Sequence, residues 1–269
     1  MAEASLRGIK LFNLSGRSAV ITGGSKGLGL AMAAGLASAG ADLMLVSRHL
    51  EEAQAAAQSL AQEYGVLALG HAADVRSEVE VDGIVKTALS AFGKVDILIN
   101  SAGINIRGPI TSLKLEEFER VLGTNVTGTW LTCRAVLPSM RAQGWGRIIN
   151  ISSALGVIGL PGRTPYTASK GAVLQMTRTL ALECASDGIT VNAICPGFVQ
   201  TDMIEGFRAH ADILGIPFEQ VMANGLARVP IKRFLKPDEI GHLAVYLGST
   251  ESDGMTGQSI LLDGGMLVV

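Results

Sequence analysis

Seven short apolar runs alternate along the chain with amphipathic, alanine-rich segments. Ser18–Thr22, Asp42–Val46, Val66–His71, Val95–Asn100, Arg147–Ser152, Thr190–Cys195 and Ser259–Leu262 are nearly continuous in hydrophobicity, the pattern of strands buried on both faces. Between them, residues 27–39, 50–63, 77–91, 115–140, 166–186 and 237–247 carry helical periodicity. Strands spaced by helices predict an α/β fold: a doubly wound parallel sheet of Rossmann type, in three α/β/α layers. No Pro/Ser-rich linker and no internal repeat interrupts it, so residues 1–269 read as a single domain. The alternation fails across 203–230, after Pro196-Gly197. Ligands of such folds bind at the carboxyl ends of strands, and an insertion there is expected to act as a substrate lid. Its apolar residues Met203, Ile204, Phe207, Ile213, Leu214, Phe218 and Met222 suit core contacts or a hydrophobic roof equally.

Composition narrows the function classes. At 48% hydrophobic and 17% charged residues, the chain has ample material for a large core, and its 33 glycines suit many tight strand-helix turns. A net charge of −2 without a basic or acidic block argues against a nucleic-acid partner. No apolar stretch approaches the ~20 residues of a membrane span, and Met1–Asn13 lacks the features of a signal peptide. Cys133, Cys184 and Cys195 show no CxxC spacing and read as reduced structural thiols; His49, His71, His210 and His242 form no metal-ligand pattern. The expectation is a soluble cytoplasmic protein without a metal.

The first strand runs directly into Thr22-Gly23-Gly24-Ser25-Lys26-Gly27-Leu28-Gly29, which opens a helix. Glycines there permit the tight turn and let backbone approach a pyrophosphate at the helix N-terminus. The spacing is Gly-x3-Gly-x-Gly; Met32 stands where a GxGxxG fingerprint has its third glycine. A dinucleotide selective for NAD usually meets an acid at the end of the second strand, on the ribose diol. Here that place holds Ser47-Arg48. The Arg48 guanidinium, with Lys26 in the glycine turn, favours the 2′-phosphate of NADP(H) over NAD(H). The competing account makes both cations solvated surface charges.

Tyr166 and Lys170 sit four residues apart in Tyr-Thr-Ala-Ser-Lys and so share a helix face. A phenol titrates near 10, so acid/base work at neutrality needs roughly three pKa units, or about 4 kcal/mol. A neighbouring cation supplies part of that by favouring phenolate. Ser153, thirteen residues upstream of Tyr166 at the end of an apolar stretch, offers a hydroxyl to hold a substrate oxygen. Together these groups are equipped to move a proton on or off a carbinol.

Taken in order, these elements resemble the short-chain dehydrogenase/reductase family in its single-domain branch, from about Leu14 to Gly265. The turn Gly23, Ser25, Lys26, Gly27, Leu28, Gly29 matches the family's cofactor turn. Asp74-Val75 matches its adenine contact. Asn100-Ser101-Ala102-Gly103 matches its Asn-Asn-Ala-Gly element with one departure, Ser101. Asn125 corresponds to its catalytic-helix asparagine, and Asn125, Ser153, Tyr166 and Lys170 complete its tetrad. Pro196-Gly197-Phe198-Val199-Gln200-Thr201 matches the segment that holds the nicotinamide carboxamide, and Leu262-Asp263-Gly264-Gly265 its C-terminal signature.

The resemblance implies specific roles. Tyr166 is the general acid in reduction and base in oxidation. Lys170 lowers its pKa and holds the nicotinamide ribose, and Ser153 orients the substrate oxygen. Asn125 kinks its helix and holds a water linking Lys170 to solvent. A homotetramer built on the helices 115–140 and 166–186 is also implied. Enoyl reductases of the family space Tyr and Lys more widely, and its extended branch uses another glycine spacing. A member that binds cofactor without turnover, as a scaffold or sensor, is the reading from another class; such members tend to lose tetrad residues.

Two substrate groups compete. The chain resembles 3-oxoacyl-acyl-carrier-protein reductases overall. Where those tend to carry arginines at the active-site rim for an acidic carrier, it shows Gly144 and Asp187. Leu11-Phe12-Asn13-Leu14-Ser15-Gly16, Gly103-Ile104-Asn105-Ile106-Arg107 and Asp263-Gly264-Gly265-Met266-Leu267 look like the gluconate 5-dehydrogenase-like group. This implies a sugar acid, a polyol or a small keto or hydroxy compound. Arg107 is placed to pair a substrate carboxylate, with Arg163 a second candidate; both equally suit surface cations.

Overall fold

The computed structural model describes residues 8–201, 211 and 215–268. Seven parallel strands form one sheet in the order β3-β2-β1-β4-β5-β6-β7. They are β1 (Ser18–Thr22), β2 (Asp42–Ser47), β3 (Ala68–Ala72), β4 (Ile97–Asn100), β5 (Gly146–Ile151), β6 (Ile189–Pro196) and β7 (Ser259–Leu262). The helices are α1 (Gly27–Ser38), α2 (Leu50–Tyr64), α3 (Glu78–Phe92), α4 (Leu115–Leu122), α5 (Gly128–Gln143), α6 (Thr164–Cys184), α7 (Phe218–Ala227) and α8 (Pro237–Gly248). Every residue of β1, β4, β5 and β6 is buried, as continuous apolar runs require.

Each sheet face carries its own core. Met32, Leu36, Leu60, Ile240 and Leu247 of α1, α2 and α8 cover one face. Val81, Ile84, Leu131, Val136, Met140 and Cys184 of α3, α5 and α6 cover the other. The crossing of α1 and α8 needs two glycines: a Cβ on Gly35 would stand 2.8 Å from the Gly241 carbonyl oxygen. The chain reverses direction across the sheet between β1 and β4, which opens a crevice at their carboxyl ends.

The element boundaries depart from expectation in instructive places. β3 spans 68–72 rather than 66–71, because its ladder with β2 begins at Leu43↔Ala68 while Asp42 Oδ1 accepts the Leu67 N–H. The long helix expected over 115–140 is α4 and α5 joined by a π-helical segment, Gly123–Thr127, with Asn125 in it. α6 begins at Thr164 rather than 166, since Pro165 needs no N–H partner in a first turn. Of the expected lid, α7 holds Phe218 and Met222, whereas Met203, Ile204, Phe207, Ile213 and Leu214 lie outside the described residues. Among the described residues no helix is long and apolar enough to cross a membrane. No His/Cys/Asp/Glu group there has metal-ligand geometry.

Candidate active site

A cavity of about 490 Å³ follows the carboxyl ends of the strands from the β1–β2 side to β6. At its first end, β1 turns into α1 through Gly23 and Gly27, both at positive φ (64° and 58°). The turn leaves no room for side chains. A Cβ on Gly23 would stand 3.0 Å from Ala102 backbone, and one on Gly29 would collide with the Gly23 carbonyl. The Ala102 N–H donates to Thr22 Oγ1 at 3.3 Å, which ties the β4 exit to the turn. Gly23, Ser25, Lys26, Gly27, Leu28 and Gly29 all line the cavity, so a backbone cradle at a helix N-terminus faces it.

Beyond the turn lie Arg48, Asp74 and Val75, joined by two residues the sequence reading passed over, Glu52 and Arg76. Arg76 donates to both Asp74 carboxylate oxygens, from Nε at 3.0 Å and from Nη2 at 2.6 Å. Those bonds, with Arg48 nearby, hold the Asp74 carboxyl below its ordinary pKa. Glu52 Oε2 accepts from Ser25 Oγ at 3.4 Å, so one carboxylate does reach the end of the cleft where Arg48 and Lys26 stand. Only its place on α2, one turn past the strand, kept it from view.

Asn100 does not line the cleft. Its amide donates to Asn150 Oδ1 (2.9 Å) and accepts from Thr132 Oγ1 (2.6 Å), while Asn150 Nδ2 donates to Thr177 Oγ1 (2.9 Å). A fully buried amide must spend its polar atoms this way. Asn100 is a clamp between β4, β5, α5 and α6, and Ser101, Ala102 and Gly103 present themselves to the cavity in its place.

At the other end Ser153, Tyr166 and Lys170 converge. The Leu155 N–H donates to Ser153 Oγ at 3.1 Å, which leaves the serine proton for the Tyr166 phenol, to which it is hydrogen-bonded. Ser152 Oγ donates to the Lys170 carbonyl (2.8 Å) and fixes α6 against β5. Asn125, 1% exposed, accepts from Ile104 N (2.8 Å) and donates to Ile104 O (3.0 Å) and Ser169 Oγ (2.9 Å). It therefore joins the post-β4 loop, the π segment and α6. Its carbonyl accepts the Thr129 hydroxyl at 2.9 Å.

The charges around Tyr166 differ from expectation. Burial raises the phenol above its ordinary value; the Ser153 hydrogen bond, Arg163 and Arg107 oppose that. Lys170 stands over the same ring, so three cations surround the phenol. Its Nζ lies 5.7 Å from the ring centroid and donates to Ile151 O at 2.7 Å, and burial lowers its pKa to about 8. Tyr166 is also the third residue of α6, where the helix dipole favours phenolate. Arg107 and Arg163 are brought together because Gly108 N donates to Gly162 O at 3.1 Å, lacing the post-β4 loop to the entry of α6. Both arginines line the cavity.

The far wall is Pro196, Gly197, Phe198, Val199 and Thr201. Leu235 holds it by two backbone bonds, Gln200 N to Leu235 O (2.8 Å) and Leu235 N to Phe198 O (2.9 Å). Asp263 accepts from Gly265 N and Leu267 N (2.9 and 3.0 Å), a turn that brings Met266 to the cavity. Gly144 and Asp187 sit elsewhere: they precede β5 and β6, at the amino ends of these interior strands and so opposite the cleft, where Asp187 pairs with Arg141 (2.8 Å). They are not rim residues, and their identity says nothing against an acidic carrier.

Residues 23–267 match the family model described as "Enoyl-(Acyl carrier protein) reductase". The chain is similar to a D-beta-hydroxybutyrate dehydrogenase of Rhizobium meliloti, 35% identical over 93% of this chain and 98% of the relative. It is similar to a 3-oxoacyl-[acyl-carrier-protein] reductase of Synechocystis, 36% identical over 95% and 98%. Among solved structures, one assigned as a gluconate dehydrogenase from Agrobacterium tumefaciens superposes with a TM-score of 0.89, at 38% identity, over 96% of this chain and 99% of that one.

Proposed function

The chain belongs to the short-chain dehydrogenase/reductase family, oxidoreductases of hydroxy and keto compounds that use a nicotinamide dinucleotide, and from its site we propose that it interconverts a ketone and a secondary alcohol on a sugar acid or other small hydroxy acid, with NADP(H). The observation that carries this is the convergence of Ser153, Tyr166 and Lys170 in one cleft that continues into the glycine turn, with Asn125 buried behind that cleft, off its lining, and bonded to Ser169 of the same helix.

The bound nicotinamide supplies or accepts the hydride. In reduction the Tyr166 hydroxyl gives its proton to the substrate oxygen, and Ser153 donates a hydrogen bond to that oxygen as charge develops. In oxidation the phenolate takes the proton back, helped by Arg163, Arg107 and the α6 N-terminus. Asn125 positions the Ile104 backbone against α6. The backbone cradle at Gly23–Gly29 fits a pyrophosphate. Asp74, Val75, Ala102 and Gly103 would flank the adenosine and ribose, Lys170 the nicotinamide ribose, and Pro196, Gly197, Val199 and Thr201 the carboxamide. Arg48 and Lys26 are the cations for a 2′-phosphate.

Arg107 supports the acid part of the substrate. The 3-oxoacyl-carrier reading stands as the second one, supported by the name of the Synechocystis relative. Exposed Trp130 on α5 and Leu182 on α6 support a homotetramer, and three buried free thiols a cytoplasmic location.

The test is steady-state turnover with NADPH and NADH against keto acids, sugar acids, neutral ketones and acyl thioesters. Tyr166→Phe is expected to bind cofactor normally and lose at least ~10²-fold in kcat. Arg107→Ala is expected to lose about 10- to 100-fold in kcat/KM on keto acids and little on neutral ketones. Full activity in Tyr166→Phe would sink the assignment; turnover confined to thioesters would replace the substrate.

A further inference from the structure

Arg163 stands one helical turn before Tyr166, at the entry of α6. Arg107 reaches the same place on the post-β4 loop, which the Gly108 N–H bond to Gly162 O (3.1 Å) laces to that entry. All three residues line the cavity, with Ser153 and Lys170. Among the described residues no acid acts on Arg163: burial and Arg107 lower its pKa to about 10, and only the Tyr166 phenol opposes them. Burial lowers Arg107 as well, again against Tyr166. The two guanidiniums are thus crowded together, half-buried, and the group of this chain that both favour is the Tyr166 phenolate.

A substrate carboxylate competes for the same two charges. Seated against the guanidiniums, it cancels most of the positive field they project onto the phenol. The other groups facing Tyr166 bring no further charge. Ser153 is neutral, and Lys170 keeps its Nζ 5.7 Å from the ring centroid, bonded to Ile151 O. Cys195 of β6, beside Lys170, is a neutral thiol that burial pushes up to about 11. We propose that the substrate's own carboxylate sets the proton on Tyr166: by occupying Arg163 and Arg107 it removes the field that favours phenolate, and the phenol takes up a proton from solvent as an anionic substrate enters. That proton is the one Tyr166 passes to the carbonyl oxygen when the cofactor delivers its hydride. An anionic ketone therefore arms the acid that reduces it, and a neutral ketone does not. This rests on the hydroxy-acid reading above and gives Arg163 a role that acts through Tyr166.

The test follows single-turnover oxidation from about pH 6 to 10, a range in which a carboxylic acid stays ionised. The preferred cofactor is saturating, and the substrates are the hydroxy acid turned over fastest in the panel above and its primary amide, an uncharged isostere. The ratio of limiting rate to half-saturation concentration reports the enzyme–cofactor complex, and the limiting rate reports the ternary complex. Each limb is an apparent value of the coupled Tyr166–Lys170 pair. For the acid, the limiting rate is expected to rise with pH at least ~1 unit later than the ratio does. The two limbs should coincide for the amide, and Arg163→Met should move the ratio limb up and narrow the acid's gap. At a pH between the acid's two limbs, calorimetry of its keto acid product binding to the oxidised-cofactor complex, in two buffers of different ionisation heat, should find proton uptake that Tyr166→Phe loses. Limbs at one pH for the acid overturn the proposal without any variant. So do an equal gap for the amide, a gap that Arg163→Met leaves unchanged, and uptake that survives in Tyr166→Phe. No turnover of any hydroxy acid overturns the preceding reading and this one with it.

Discussion

The candidate acid, Tyr166, works against its own surroundings. Burial favours the neutral phenol, and the groups that oppose this, Ser153, Arg163 and Arg107, come from three separate stretches of chain. The i,i+4 spacing made Tyr166 and Lys170 legible, because helical geometry fixes which residues share a face. It could not reveal that Lys170 spends its ammonium on Ile151 O, or that Arg163 enters from the turn before α6. The cofactor end repeats the lesson. Arg48 was legible from its place after β2, but Glu52, on the next helical turn, reaches Ser25 in the same corner. A 2′-phosphate there meets Arg48 and Lys26 against Glu52. Removing one charge-assisted bond costs about 1.5–3 kcal/mol, so Arg48→Ala should raise KM for NADPH by about 10- to 100-fold and leave that for NADH within about threefold. Glu52→Gln should move NADPH the other way by a smaller factor. Equal effects on both cofactors in Arg48→Ala would remove the NADP(H) preference.

At the scale of elements, the apolar runs located all seven strands and their helix spacing a doubly wound parallel sheet, but that pattern is shared by several strand orders, and only the backbone pairing shows which one this chain adopts. The periodicity missed what backbone bonding alone decides. The π segment at Asn125 leaves the hydrophobic stripe of 115–143 intact, so the pattern shows one helix where there are two. Arg147 was likewise hidden: it lies fully buried in β5, over the Trp145 ring (4.2 Å to the centroid) and paired with Asp253, although a charge in a central strand argues for exposure. The glycine turn is the element whose sequence and geometry agree most closely. Gly29 has no alternative, because a methyl group there would collide with the Gly23 carbonyl, a backbone atom that can yield only by opening the cradle. Gly29→Ala should therefore weaken dinucleotide binding by at least ~10-fold, measured by titration calorimetry, while the far-UV spectrum of the sheet and helices stays native. Unchanged affinity would mean that the dinucleotide does not rest on this turn.

For the whole molecule, the site imposes a cost on the fold that pH can expose. Lys170 is 5% exposed, and burial lowers its pKa from 10.5 to about 8. A folded-state pKa below the unfolded one means that the unfolded chain binds more protons between those values, so this lysine's penalty is full below pH 8 and fades as pH rises toward 10.5. A shift of this size corresponds to roughly 3 kcal/mol. The same sheet holds groups that act oppositely. Cys195, raised to about 11 by burial, and Tyr166, also raised, withdraw stability as the unfolded chain ionises above about pH 9. The wild-type profile alone therefore mixes the signs, and a difference separates them. Lys170→Met keeps the length of the side chain and removes the charge; groups not coupled to it cancel, and Cys195, which Lys170 holds down, departs from cancelling only where thiols ionise, above about pH 9. Urea unfolding of both proteins at intervals from pH 7 to 10.5 should find Lys170→Met most favoured relative to wild type near pH 7, with its advantage shrinking by roughly 3 kcal/mol across the series. A constant difference would show that the buried ammonium is solvated well enough to keep its ordinary pKa. The phenol would then keep a full positive charge one helical turn away up to about pH 10, rather than losing it above about pH 8.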